Sequence, residues 1–208
     1  MPERSYRVLL WVLALTGLAL DQSSKYGVFA WLADEPAHEH VLFRTDRGGF
    51  QLVAQFEPEP GADGRPVPHV NQGALFGFLK NYQTMANGGF AVVSLLAALA
   101  IGVWSMQPST GRDRWLCSAL GLILAGTLGN FYDRIIFNGV RDFLHWNYLF
   151  DWPVFNIADC CLVCGAFLLL VQAFATQPAP TEQSAESAVE RSSSSLSRSA
   201  EFSAAPKV

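Results

Sequence analysis

No Asp, Glu, Lys or Arg occurs in residues 83–111, QTMANGGFAVVSLLAALAIGVWSMQPSTG. Residues 115–132, WLCSALGLILAGTLGNFY, are also free of charge, and residues 8–32 carry only Asp21 and Lys25. About 20 mainly apolar residues suffice for a helix to cross a membrane. These stretches therefore predict transmembrane helices.

Residues 152–175, whose only charge is Asp159, supply a fourth apolar stretch. We predict an all-α membrane protein with four spans, which are Val8–Trp31, Met85–Met106, Trp115–Phe137 and Val154–Ala175. A soluble helical bundle is the alternative, but its helices would show a charged face. Charged residues make up 15 % of the chain and the mean hydropathy is +0.21, which argues against an ordinary soluble enzyme.

The loop between the first two spans, about residues 34–70, shows strand signals. Residues 50–56, FQLVAQF, alternate so that one face carries Phe50, Leu52, Ala54 and Phe56. Val41–Phe43 is a candidate partner strand. We therefore expect a small β-sheet, inserted between helices one and two, on the extracytoplasmic surface of the membrane.

Basic residues orient the predicted spans. Arg4 and Arg7 precede the first span, as in a signal peptide, but no cleavage site follows the span. We therefore expect a retained span rather than a signal peptide. Arg112 and Arg114 lie between spans two and three, which places this loop and both termini in the cytoplasm.

The transmembrane domain is expected over residues 1–175. Residues 176–208 are rich in Ser, Ala and Glu and predict a disordered cytoplasmic tail. The net charge of −4 gives no basic surface for nucleic acid.

Polar side chains within apolar spans are candidates for function, because a charge at mid-membrane costs about 2.5–3.5 kcal/mol on insertion scales. The candidates in the spans are Asp21, Lys25, Asn130, Asp133, Arg134, Asn156 and Asp159, and Asp142 lies in the loop after span three.

The spacing of these residues suggests two roles. Asp21 and Lys25 stand four apart on one helix, and we expect a structural ion pair at the helix end with Lys25 snorkelling to the surface. Asp133 lies next to Arg134, and we expect the two to pair. This pairing should keep the Asp133 carboxyl ionised, which suits an organising role.

Asp142 and Asp159 are a candidate catalytic dyad. Asp159 lies six residues past Pro153, about 9 Å along a helix, so water could reach it. Two carboxyls in a low-dielectric site do not both ionise easily, so one keeps a proton while the other acts as a base. Such a pair can activate water against an amide. The alternative is two separate helix-end aspartates.

Metal sites are less favoured by the sequence. Cys160, Cys161 and Cys164 lack a fourth ligand nearby, and small packing residues of a membrane helix explain them better. His38, Glu39 and His40 lie in a loop rich in Pro and charge, and we expect a solvated surface there.

The polar motifs together resemble the lipoprotein signal peptidases, also called signal peptidase II. In order they are Asp21-Gln22-Ser23-Ser24-Lys25, Asn71-Gln72-Gly73-Ala74-Leu75-Phe76, Gly129-Asn130-Phe131-Tyr132-Asp133-Arg134, Val140-Arg141-Asp142-Phe143 and Phe155-Asn156-Ile157-Ala158-Asp159. The resemblance covers about residues 8–175. The sequence departs from the family in three places: the long 34–70 loop, Leu75, where a smaller residue is expected, and the Ser-rich tail.

This resemblance implies a bacterial inner-membrane aspartic endopeptidase, with its active site near the outer face, that needs no metal or cofactor. Such enzymes cut diacylglyceryl-modified prolipoproteins just before the lipidated cysteine, and globomycin inhibits them. The family's catalytic pair falls on Asp142 and Asp159, with Asp133 as the rival for the first position. Its supporting residues fall on Asp21, Lys25, Asn71, Gly73, Asn130, Asp133, Arg134 and Asn156. We expect a monomer in contact with membrane lipid.

Two other classes of protein would also place charges in membrane helices. A small ion-coupled carrier would use Asp21, Lys25, Asp133 and Asp159 as a relay and would cleave no peptide. A membrane scaffold would present the outer loop to a partner and would tolerate loss of the Asp142 and Asp159 carboxyls.

Overall fold

The structure, a computed structural model, describes residues 5–73 and 83–175. The helices and strands are α1 Arg7–Ala33, β1 Glu39–Thr45, β2 Gly48–Val53, α2 Gln83–Ser105, α3 Pro108–Arg112, α4 Arg114–Phe137, β3 Leu144–Trp146 and α5 Ile157–Ala175. All strands and described candidate residues belong to a compact unit over residues 1–171. Arg4, Leu75 and the predicted tail over 176–208 lie outside the described residues.

Three helices of the described chain are long and apolar enough to cross a membrane: Met85–Ser105 of α2, α4, and α5. α2 and α5 expose large apolar side chains such as Val92 and Val163, as expected of surfaces that face lipid. α1 is one continuous helix of 27 residues, but its apolar sequence is interrupted by the polar residues from Asp21 to Lys25. A fourth span through α1 therefore stays a prediction.

α4 is the central helix, and close backbone contact holds its neighbours against it. A Cβ atom at Gly121 would lie 2.6 Å from the Leu10 carbonyl oxygen of α1, and one at Gly165 of α5 would lie 2.8 Å from the Ala119 carbonyl oxygen of α4. Small residues allow helices in a membrane to approach this closely. Larger residues at these crossings would push the helices apart.

The sheet has the order β1-β2-β3 with antiparallel pairing. The predicted alternation is confirmed, because Phe50, Leu52, Ala54 and Phe56 all pack in one cluster with Phe29 and Phe143. β2 ends at Val53, and Phe56 instead pairs with Pro68 in an isolated bridge. The third strand was not predicted. It begins at Leu144, two residues after Asp142, so the sheet ties that residue to the loop after α1.

α5 begins three residues later than the predicted span, at Ile157 rather than Val154. The backbone of Phe155 is held outside the helix, because its N–H donates to the Leu144 carbonyl at 3.0 Å and its carbonyl accepts from the Leu144 N–H at 2.8 Å. Asp159 therefore lies in the first turn of α5 and not deeper in a span.

Candidate active site

The start of α5 positions two of the predicted site residues. Asn156 precedes the helix, and its Oδ1 accepts from the Asp159 N–H at 3.1 Å. The Asp159 Oδ2 accepts in return from the Asn156 N–H at 3.1 Å. This reciprocal pair has the geometry of a capping box, which satisfies N–H groups that a helix start leaves unpaired. The same contacts fix the orientation of the Asp159 carboxylate.

Asn156 also links the two aspartates of the predicted dyad. Its Nδ2 donates to Asp142 Oδ1 at 2.6 Å, while its backbone and side chain hold Asp159. Asn71 Nδ2 donates to Asp142 Oδ2 at 3.1 Å, and Asn130 Nδ2 donates to Asp159 Oδ1 at 2.8 Å. The carboxyls that the sequence places in separate motifs therefore share one network of amide side chains.

The environment of Asp142 favours its protonated form. Burial, and then the nearby charge of Asp159, raise the pKa of the Asp142 carboxyl from 3.8 to about 6. Both effects disfavour the charged carboxylate. Between pH 3.8 and about 6, Asp142 therefore keeps a proton that an ordinary Asp carboxyl has lost.

A cavity of about 600 Å³ opens beside Asp142. Its lining residues come from β2 and the segment after it, from the segment before α2, and from the two segments that flank β3: Val53, Gln55, Glu57, His69, Val70, Asn71, Gln72, Val140, Asp142, Pro153 and Val154. A cavity of this size could accept several residues of an extended peptide.

A buried ion cluster joins α1 to α4. Lys25 Nζ lies 2.9 Å from Asp21 Oδ2 and 3.4 Å from Asp133 Oδ2, and all three side chains are fully buried. Asp133 also accepts from Arg141 Nη2 at 2.9 Å, from Arg141 Nε at 3.2 Å and from the Arg141 backbone N–H at 2.9 Å. The cluster therefore fixes the backbone next to Asp142.

Lys25 does not lie at a helix end, and the predicted snorkelling is wrong. α1 continues to Ala33, and Lys25 donates to Asp21 and to Asn130 Oδ1 inside the protein. The ion pair itself is confirmed. A cation fully enclosed by acceptors gains more from them than from a surface it could reach only by leaving the cluster.

The predicted pairing of Arg134 with Asp133 is also wrong. Among the described residues, the ion-pair partners of Asp133 are Lys25 and Arg141. Arg134 points elsewhere: its Nη1 donates to the Asn130 carbonyl at 3.2 Å, and its guanidinium lies 5.4 Å from the centre of the Phe90 ring. Adjacent residues on a helix point about 100° apart, which explains why neighbours in sequence do not pair.

Sequence reasoning missed two residues of this cluster. Arg141 is buried and donates to Asp133, whereas the motif that contains Arg141 predicts a role for Asp142 alone. Gln22 donates to Asp133 Oδ1 at 3.1 Å and accepts from Arg141 Nη2 at 3.0 Å. Their position beside predicted site residues was the available signal.

Asp21 has a further role at the start of α5. Its Oδ1 accepts from the Ala158 N–H at 2.9 Å, so a carboxylate of α1 caps a different helix. Negative charge at a helix N-terminus is favourable because it meets unpaired N–H groups and the positive end of the helix dipole. Gly129 allows this approach, since a Cβ there would lie 2.5 Å from Asp21 Oδ2.

The segment before α2 carries Asn71 and Gly73. Gly73 has a φ of +82° and donates its N–H to Asn71 Oδ1 at 2.9 Å, which orients the Asn71 amide toward Asp142. Other residues adopt this backbone conformation at a cost. The rest of this motif, Ala74 to Phe76, lies outside the described residues.

The cysteines of α5 do not gather around a common centre with other ligands. No group of three His, Cys, Asp or Glu side chains suited to a metal ion is found within residues 5–73 and 83–175. Cys160 packs at the edge of the Phe29 cluster, and Cys164 is exposed.

Comparison with known proteins places the chain in a family. The model of the family described as signal peptidase (SPase) II matches residues 13–175. A lipoprotein signal peptidase of Rhodopirellula baltica is 36 % identical over 186 residues, which cover 83 % of this chain and 74 % of that protein. One of Pseudomonas fluorescens is 38 % identical over 162 residues, covering 73 % of this chain and 91 % of the relative. For one of Pseudomonas aeruginosa, the 36 % identical match covers 50 % of this chain and 62 % of the relative.

A solved structure described as a bacterial membrane enzyme at 2.3 Å has the same fold. It superposes with a TM-score of 0.63 at 21 % identity and covers 87 % of this chain and 99 % of its own. A second such structure, at 1.9 Å, gives a TM-score of 0.63 at 22 % identity and covers 85 % of this chain and 99 % of its own. With the family model covering most of the chain, this protein belongs to the signal peptidase II family of membrane peptidases, the lipoprotein signal peptidases.

Proposed function

We propose that the chain is an aspartic endopeptidase that removes the signal peptide from diacylglyceryl-modified prolipoproteins by cutting just before the lipidated cysteine. The observation that carries this proposal is the pair Asp142 and Asp159, which Asn156 bridges, with Asp142 lining a cavity of about 600 Å³. Asp133, the rival for the first carboxyl, is fully buried and saturated by Arg141 and Lys25. It therefore suits a structural role better.

In the proposed reaction, the two carboxyls share one proton. The ionised carboxylate removes a proton from a water molecule, whose oxygen attacks the scissile carbonyl carbon and forms a tetrahedral intermediate. The protonated carboxyl then gives its proton to the amide nitrogen, the C–N bond breaks, and the lipidated cysteine leaves with a free amino group. Asn71 and Asn156 would orient the carboxyls or hold substrate carbonyls.

We further propose that α1 is the fourth span and that the sheet lies on the outer face of the inner membrane. Asp21 and Lys25 are enclosed between helices, so their charges would not face lipid. Arg7 donates to the Met106 carbonyl at 2.6 Å, at the end of α2 remote from the sheet, which suits a cytoplasmic end. The substrate would enter from the bilayer, and a monomer would suffice.

Cleavage of a lipid-modified substrate tests the proposed function. Purified full-length protein in detergent should release the signal peptide from a diacylglyceryl-modified prolipoprotein and leave the unmodified precursor intact, and globomycin should block release. Failure of well-folded protein to cleave the modified substrate would contradict the proposal. Uptake driven by an ion gradient in vesicles, without cleavage, would identify a carrier instead.

The pH dependence of cleavage should follow the protonation of the dyad. Because the pKa of Asp142 is raised to about 6, the shared proton is present below that pH and lost above it. We expect kcat/KM to decrease as the pH rises past about 6, with an apparent pKa that belongs to the pair. A kcat/KM that keeps increasing from about pH 6 to pH 9 would contradict a required proton on the dyad.

A further inference from the structure

One wall of the cavity is formed by residues that have no role in the proposed reaction. Residues 54–57 and 67–71 run antiparallel there, and we call them the outer ribbon. The Glu57 N–H donates to the Val67 carbonyl, and the His69 N–H donates to the Gln55 carbonyl, both at 2.8 Å. Asn71 continues the ribbon and exchanges two backbone hydrogen bonds of 2.8 Å with Val140.

The two faces of the outer ribbon differ in chemistry. Alternation along an extended chain sends successive side chains to opposite sides. Phe56 packs on one side, with its ring centre 5.8 Å from that of Phe29. The other side carries Gln55, Glu57, His69 and Asn71, all of which line the cavity beside Asp142.

Glu57 and His69 form a pair on the polar face. The His69 Nδ1 and Glu57 Oε1 atoms are 2.8 Å apart, and the side chains are 55 % and 45 % exposed, so both remain open to a ligand. A carboxylate only accepts hydrogen bonds, so we assign the proton to His69 Nδ1. Glu57 Oε2 remains an acceptor for a ligand. Among the described residues that line the cavity, Glu57 and Asp142 carry carboxyls and none is Lys or Arg, so the wall is acidic and rich in acceptors.

Residues 54–71 contain one Lys or Arg, which is Arg65, and it pairs away from this wall. Arg65 lies in the turn that joins the two sides of the ribbon, and its guanidinium pairs with Asp63 at 3.8 Å. Arg65 is not part of the cavity lining. A ligand with a positive charge and N–H donors would therefore complement the wall.

We propose that Glu57 and His69 form a substrate subsite for a Lys or Arg side chain in the first residues after the lipidated cysteine. This inference rests on the proposed function. The apolar signal peptide would lie along the membrane helices. The outer ribbon belongs to the loop after α1, outside every helix, so it would meet the hydrophilic part of the substrate on the other side of the scissile bond.

Two matched substrates test this subsite. Both are diacylglyceryl-modified prolipoproteins, with either Lys or Gln at the second and third positions after the cysteine. The wild type should show a KM two- to fivefold lower for the Lys substrate, with equal kcat, which is about the range for a partly exposed charge pair. Glu57→Gln should abolish this preference, and Glu57→Lys should reverse it toward a substrate with Glu at these positions.

Glu59→Gln is the matched control, because Glu59 lies two residues further along, is exposed and does not line the cavity. It should keep the wild-type preference, and thermal melts should show that all variants fold. Equal KM values for both substrates in the wild type, or an unchanged preference in folded Glu57→Gln, would overturn the subsite. A wild type that cleaves neither substrate would instead contradict the proposed peptidase function.

Discussion

Replacing Asp142 or Asp159 with Asn should lower kcat for signal-peptide release by at least about 10³-fold, within the range expected when an acid or base is removed. Asn is nearly isosteric with Asp and keeps one oxygen to accept from Asn71, Asn156 or Asn130, but it neither accepts nor supplies the required proton. The rate should be measured on purified protein with a diacylglyceryl-modified prolipoprotein.

Folding must be measured beside the rates, because Asp159 also completes the capping box of α5. Loss of a helix cap costs about 0.5–2 kcal/mol, so Asp159→Asn should melt at a slightly lower temperature and still fold. Asp46→Asn, an exposed carboxylate between β1 and β2, is the control and should retain full activity. A folded Asp142→Asn variant with near wild-type kcat would exclude Asp142 from the dyad.

Asp133→Asn should destabilise the protein far more than either dyad variant. It would leave Arg141 and Lys25 buried with one ionised partner fewer, and removal of one member of a buried ion pair costs about 3–5 kcal/mol. We expect a large drop in melting temperature in detergent, or failure to accumulate in the membrane.

This result separates the two candidates for the first catalytic carboxyl. An Asp133→Asn variant that melts like the wild type but is inactive would make Asp133 the reacting group and Asp142 an accessory residue. A destabilised variant with residual activity, beside a stable and inactive Asp142→Asn, would support the assignment proposed here. The same melts should show Asp46→Asn unchanged.

Hydrophobic patterning was sufficient to predict the long helices. The described parts of α1, α2 and α4 begin and end close to the predicted spans, because uncharged runs of this length have few other stable structures. The strand alternation of residues 50–56 also predicted the correct buried face. These features depend on local sequence.

Features that depend on distant contacts could not be predicted. The start of α5 is set by the pairing of Phe155 with Leu144, and β3 forms only because β2 offers it an edge. Asp133 pairs with Lys25 of α1 and with Arg141, eight residues away across the end of α4, rather than with the adjacent Arg134. Charge proximity in sequence therefore gave the wrong ion pair.

The candidate site was predicted as a set of residues rather than as a geometry. The motifs named both aspartates and the asparagines around them, and the structure brings these side chains into one network. The Asn-x-x-Asp spacing of Asn156 and Asp159 is itself a sequence signal for helix capping. The wall formed by Glu57 and His69 depends on the folding of a long loop and has no sequence signal of its own.

The most direct test of the dyad is a double-mutant cycle on kcat with the wild type, Asp142→Asn, Asp159→Asn and the double variant. If the two carboxyls act as one unit, the double variant should lose no more activity than the more impaired single variant. Losses that multiply in the double variant would mean that the two residues act independently and would contradict a shared-proton mechanism.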